Sequence, residues 1–199
     1  RQRCIFQDYS VTFNSGEIVV ISGPSGAGKS TLLHCLAGIE SVDSGDVLLH
    51  QRSIIHASDD KRAYIWRHCI GVVLQSPCLI PEITVWDNIA MKGYIERDNA
   101  STIYHRVAHL LNIMHLQEHA EAYPDELSGG QQHRVALARM LLYVPHFLVI
   151  DELTAHLDHD NAEALLQICL RCRDEYGCGI IIATHDHRVM AYADRIYEM

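Results

Sequence analysis

Eight residues of this chain, Gly23-Pro24-Ser25-Gly26-Ala27-Gly28-Lys29-Ser30, have the types and spacing to hold a run of phosphates. They fit G-x-x-x-x-G-K-S/T, a loop whose glycines let the backbone close around an anion with its N–H groups turned inward. The helix expected to follow adds the positive end of its dipole. Lys29 would reach the β- and γ-phosphates, and the Ser30 hydroxyl, with Thr31 beside it, would face a Mg²⁺ ion. A chance glycine-rich turn is the competing reading. The apolar run Ile18 to Ile21 before the loop and the helix-competent Lys29-Ser30-Thr31-Leu32-Leu33 after it argue against that.

More than a hundred residues on, Phe147-Leu148-Val149-Ile150 runs into Asp151-Glu152, an apolar strand ending in two carboxylates. Ligands of open α/β sheets bind beyond the carboxyl ends of the strands. Asp151 is therefore placed to hold the Mg²⁺ through water or Ser30, and Glu152 to activate a water at the γ-phosphate. Solvated acids at a strand end would look the same in isolation. A third run, Leu127-Ser128-Gly129-Gly130-Gln131, opens a helix with Ser and two glycines, a second anion cradle. One nucleotide needs only one phosphate loop, so this run is either a capping turn or a site for a second phosphate.

These groups need strands and helices in alternation to bring them together, and the pattern supplies them. Val11 to Phe13 and Glu17 to Ile21 read as strands about an Asn14-Ser15-Gly16 turn, and Asp46 to Leu49, Gly71 to Leu74, Phe147 to Ile150, Gly179 to Ala183 and Arg195 to Met199 as further strands. Ile103, Val107, Leu110, Leu111 and Met114 recur at helical spacing between Thr102 and His119. Helices are also predicted over Gln131 to Tyr143, stopped by Pro145, and over Asp160 to Tyr176. Ser53 to Lys61 reads as a polar connection, and Gln75 to Pro145 as a helical insertion. Apolar strands alternating with helices imply an α/β fold with a parallel sheet covered on both faces.

Composition narrows the partners. The 199 residues suit one domain, and no apolar run approaches the ~20 residues of a membrane span. A net charge of −9 argues against a nucleic-acid backbone as the main partner. The N-terminus, Arg1-Gln2-Arg3-Cys4, lacks the apolar stretch of a signal peptide. Seven cysteines, an odd number, read as reduced thiols. Cys169 and Cys172, with Cys178 close by, have metal-site spacing but no second pair to complete four ligands. His105/His109 and His115/His119 read as a solvated face, since no acidic partner accompanies them.

With these motifs in order, the chain resembles the ATP-binding subunit of an ABC transporter over essentially its whole length. Gly23 to Ser30 matches the Walker A motif, Gln75 the Q-loop glutamine and Leu127 to Gln131 the LSGGQ signature. Asp151 matches the Walker B aspartate, Glu152 the catalytic glutamate, Asp158 the D-loop aspartate, and His185 the switch histidine in Ala183-Thr184-His185-Asp186. Gly26 to Leu33 and Leu79-Ile80-Pro81 look most like the branch serving lipoprotein release, macrolide efflux and cell division. The resemblance implies a P-loop NTPase fold with a mainly parallel core sheet, an N-terminal antiparallel β subdomain and a helical signature subdomain at about 76–145. It implies a single domain over 1–199, trimmed at both ends.

What the resemblance implies for function is hydrolysis of ATP with Mg²⁺, coupled to transport through a separate transmembrane permease at the cytoplasmic face of the membrane. Two chains would meet head to tail as an ATP-dependent homodimer, each nucleotide held by Walker A of one and the signature of the other. Ser128, Gly129, Gly130 and Gln131 would then face the partner's γ-phosphate, with Asp158 at the shared boundary. Gln75 would sense Mg²⁺ and the attacking water, and His185 would contact the γ-phosphate or orient that water. Three positions depart from the family pattern: Leu153 where proline is usual, His156 where a small or polar residue is usual, and His133 where glutamine is common. The family's adenine-stacking aromatic falls by spacing at or before Arg1, and Phe6 and Tyr9 fit strand or core roles instead. A soluble signature-bearing ATPase of DNA repair, chromosome maintenance or translation is the alternative. Such proteins carry coiled-coil insertions or two ATPase domains, and this chain has neither. A non-hydrolysing regulator would need a degraded Glu152, signature or His185, and a GTPase would need an N-K-x-D motif.

Overall fold

The computed structural model describes residues 5–152 and 159–199, and of 159–161 the backbone alone. Asp158, Leu153, His156 and Arg1 to Cys4 lie outside the described residues. The chain runs β1 (Ile18–Ser22), α1 (Lys29–Leu36), β2 (Leu48–Leu49), β3 (Arg52–Ser53), α2 (Asp59–His68), β4 (Ile70–Val73), α3 (Val85–Glu96) and α4 (Ala100–Ile113). It continues through two 3₁₀ turns to α5 (Gly129–Leu141), β5 (Phe147–Asp151), α6 (His159–Tyr176), β6 (Gly179–Ala183), α7 (His187–Met190) and β7 (Arg195–Glu198).

Five strands form a wholly parallel sheet in the order β4-β5-β6-β1-β7. Their side chains divide with the period of two that a pleated strand imposes. Ile18, Val20, Leu148, Ile150, Ile180 and Ile182 enter one core with α3, α4, α5 and α6. Ile21, Val149, Ile181 and Ala183 enter the other, against Leu32 and Leu33 of α1. Burial on both faces is why these strands read as unbroken apolar runs. A second, antiparallel sheet pairs β2 with β3 about His50-Gln51, both at positive φ. This is the mixed architecture that the sequence leads one to expect.

Two elements differ from expectation. Val11 to Phe13 forms no strand: the Thr12 carbonyl accepts instead from the Arg195 guanidinium at 3.1 Å, and the Phe13 ring packs edge-on against Tyr197. A β-prone tripeptide needs a ladder partner, and here a side chain takes that place. The polar connection Ser53 to Lys61 shrinks, because α2 already begins at Asp59. Its helix signal lies in charge rather than apolar period, with Asp59 and Asp60 in the first turn and Arg67 and His68 in the last. No helix among the described residues is long and apolar enough to cross a membrane.

Candidate active site

The phosphate loop leaves β1 at Ser22 and enters α1 at Lys29. Lys29 is only 8% exposed, and its ammonium donates to the carbonyls of Gly23 at 2.8 Å and Pro24 at 3.1 Å. The lysine thus closes the loop on itself while keeping a third donor. Gly28 lies at φ 104°, and a Cβ there would meet Ile5 Cγ2 at 2.4 Å. Phe6 packs over the same spot, takes the core role expected of it, and stacks tilted on the largely exposed Tyr9 at 5.7 Å. Ser30 is exposed in the first turn of α1, which packs on β5 and β6.

Strand register brings the acids to this end. Asp151 lies opposite Ala183, and Ala183 opposite Ile21. Asp151 and the root of the phosphate loop are therefore two strand spacings apart, about 10 Å along the sheet edge. The ladder continues one residue beyond, with Glu152 N–H on Ala183 O at 2.9 Å and Thr184 N–H on Ile21 O at 3.1 Å. Glu152 then turns to φ 57°, a left-handed conformation that costs a side-chain-bearing residue about 1–2 kcal/mol.

Around that turn three strand ends meet. The Gln75 amide donates to Glu152 Oε2 at 3.3 Å, and His185 Nδ1 lies 3.8 Å from Glu152 Oε1. Gln75 follows β4, Glu152 follows β5 and His185 follows β6, so parallel topology gathers them from positions far apart in sequence. With its NH₂ on Glu152, the amide of Gln75 retains its oxygen as an acceptor. Asp151, which is buried, Ser30 and Gln75 have only oxygen atoms to offer a cation, the donor chemistry that Mg²⁺ takes.

The signature run folds as a cap. Ser128 precedes α5 and accepts from the Gln131 N–H at 3.3 Å, while the Gln131 side chain accepts from the Ser128 N–H at 2.8 Å. This reciprocal box fixes the first turn. Gly129 has open space where a Cβ would stand, and Gly130 is buried. Gln131 also bonds His119 at 2.8 Å, so His119 supports the signature instead of sharing the solvated face of the exposed His105, His109 and His115. Cys169, Cys172 and Cys178 are buried together as free thiols, and burial pushes Cys172 and Cys178 up to about 12. Among the described residues no cluster could hold a metal through three His, Cys, Asp or Glu side chains.

Sequence reasoning missed the residues that hold the segment after Gln75. Asn88 is fully buried on α3; it accepts from Ile80 N–H at 2.9 Å and donates to the carbonyls of Ile80, Ile83 and Thr84 at 3.0–3.3 Å. Arg139 of α5 donates to Cys78 O at 2.9 Å and Pro77 O at 3.2 Å. The only available signal was a polar residue on the apolar face of a helical stretch.

A family model described as ABC transporter matches residues 6–155. The chain belongs to the ABC transporter family. Within it, the chain is 37% identical over 96% of its length to the spermidine/putrescine import ATP-binding protein PotA of Thermotoga maritima, covering 51% of that protein. It is 36% identical over 96% of its length to the lipoprotein-releasing system ATP-binding protein LolD of Hyphomonas neptunium, covering 84% of it. The chain thus spans about half the length of the import relative and most of the other. An ATP-binding cassette solved as a dimer in a post-hydrolysis state with ADP and Pi superposes with a TM-score of 0.91 at 30% identity, over 98% of this chain and 86% of that one. The P-loop fold of ABC cassettes is therefore the fold of this chain.

Proposed function

We propose that this chain is the ATP-binding and ATP-hydrolysing subunit of an ABC transporter, powering transport through a separate transmembrane subunit. The observation that carries the reading is the meeting of Gln75, Glu152 and His185 at the sheet edge that also bears the phosphate loop. Gly23 to Thr31 cradle the triphosphate, and Lys29 balances its β,γ charge. Asp151, Ser30 and Gln75 would hold Mg²⁺, which when bound neutralises charge on the phosphate oxygens. Glu152 accepts the proton of the attacking water, worth about 10²–10⁴ in rate. Gln75 and His185 hold that carboxylate and the water in line.

Ser128 and the first turn of α5 present donors that this chain's own nucleotide does not need. In a head-to-tail homodimer they grip the partner's γ-phosphate, with Asp158 at the shared boundary. The dimeric ADP- and Pi-bound cassette among the structural neighbours supports that arrangement. Residues at about 76–145 form the helical signature subdomain. The permease places the subunit on the cytoplasmic face of the membrane. The relatives named for spermidine/putrescine import and for lipoprotein release differ by a single per cent in identity, too little to select a transported substrate. Their names favour a transporter over an ATPase of DNA repair or translation. Turnover of saturating Mg-ATP by Lys29→Ala tests the assignment. Hydrolysis should be lost, and normal turnover would refute it.

A further inference from the structure

The bonds that hold the Gln75 segment come from the helix that carries the signature. His133 lies one turn into α5, its Nδ1 2.8 Å from the carbonyl of Gly129 and its Nε2 3.0 Å from the carbonyl of Gln75. Carbonyl oxygens only accept, so the Nε2–H tautomer donates to Gln75 and leaves Nδ1 packed against the Gly129 carbonyl. Further along the same helix Arg139 holds the carbonyls of Pro77 and Cys78. The backbone of residues 75–78 therefore hangs from α5, whose first turn is set by Ser128. Meanwhile the side chain of Gln75 reaches the other way, to Glu152 at 3.3 Å. One residue thus touches the catalytic carboxylate with its amide and the signature helix with its carbonyl.

We propose that His133 is a positioning residue that couples the two ATP sites of the dimer through the interior of one protomer. The proposal rests on the head-to-tail reading, in which Gln75 serves the chain's own phosphates while Ser128 serves the partner's. When Gln75 shifts in response to its own site, the His133 bond either carries the first turn of α5 with it or breaks. Either way the phosphate grip at the other site feels the change, which is what a coupling free energy between sites requires. A glutamine side chain at position 133 can reach the same carbonyl through its amide NH₂, so glutamine would preserve the link.

The replacements separate the two bonds. Asparagine reaches only as far as Nδ1, keeping the Gly129 contact and losing Gln75; glutamine reaches as far as Nε2. ATP hydrolysis by the wild type, His133→Asn and His133→Gln is measured against ATP concentration, with hydrogen exchange of residues 75–80 as a second readout. Wild type and His133→Gln should show a Hill coefficient above 1. His133→Asn should fall toward about 1, the value of independent sites, with faster exchange over 75–80 and an unchanged melting temperature. A cooperative wild type with an equally cooperative His133→Asn would overturn this role and leave the dimer reading standing. A non-cooperative wild type would overturn the coupling, and light scattering of Glu152→Gln in saturating ATP then shows whether the pairing fails with it.

Discussion

Lys92 should destabilise the protein that carries it, by an amount that pH can switch off. It lies on α3 beside Arg139 of α5, and its ammonium is a buried donor with no hydrogen-bond partner among the described residues. Burial, and then the neighbouring Arg139 charge, pull its pKa down to about 8 from the ordinary 10.5. At about 1.4 kcal/mol per pH unit, that depression corresponds to a penalty of about 3 kcal/mol for the charged form. Below about pH 8 Lys92 is charged both folded and unfolded, so the penalty is present in full. Between about 8 and 10.5 the unfolded chain holds a proton that the folded chain has released, so stability rises with pH. Above that window the lysine is neutral in both states and the penalty is gone. Lys92→Met keeps the length and removes the charge. At pH 7 it should raise stability by about 2–3 kcal/mol, which for a domain of this size is roughly 5–10 °C in Tm. Urea unfolding of both proteins from pH 7 to 10.5 measures the difference. The methionine advantage should shrink steadily across the window. A constant advantage would mean that packing, not charge, is responsible, and a loss of stability at pH 7 would refute the argument outright.

Gly28→Ala places a methyl against Ile5 at a backbone angle alanine resists, and it should cost about 1–3 kcal/mol of stability. Nucleotide affinity, followed by fluorescence titration, should fall with it, and wild-type values for both would show that the loop tolerates a Cβ. Ser128→Arg should leave ATP binding to the phosphate loop nearly intact while blocking hydrolysis, by filling the space where the partner's γ-phosphate docks. Outright loss of binding would contradict a role across the dimer. In a mixed dimer of Lys29→Ala with Ser128→Arg both defects fall on one composite site, and activity recovered at the other would mark the head-to-tail order.

Legibility in the sequence followed the range of the physics involved. β6 was readable end to end, because five consecutive apolar residues bounded by Gly179 and Thr184 leave little choice for a strand buried on both faces. α4 was equally plain from its apolar period, and Asn99 closes its start by accepting from Thr102 N–H at 2.8 Å. Val11 to Phe13 misleads because strand propensity says nothing of whether a neighbour exists, and α2 is not legible because its cues are charges and not an apolar period. At the site the motifs themselves are legible, since the loop, the strand-end acids and the capping turn are each written in consecutive residues. His133, Asn88 and Arg139 could not be placed, because their partners lie 58, 8 and 61 residues away and only the folded chain makes them neighbours. The bonds between motifs, not the motifs, were the hidden part.

The central claim is that Glu152 activates water at a nucleotide shared between two chains. Glu152→Gln keeps the shape and one acceptor but removes the base, so hydrolysis should fall by about 10²–10⁴, or about 3–5 kcal/mol of barrier. It also removes negative charge beside the γ-phosphate, so the ATP-bound pair should persist instead of opening. Light scattering of Glu152→Gln at saturating Mg-ATP and at saturating ADP decides the matter. A dimer in ATP and a monomer in ADP, beside a wild type that is mostly monomeric in both, is the predicted result. A variant that stays monomeric in saturating ATP, or that pairs equally well in ADP, would contradict the account.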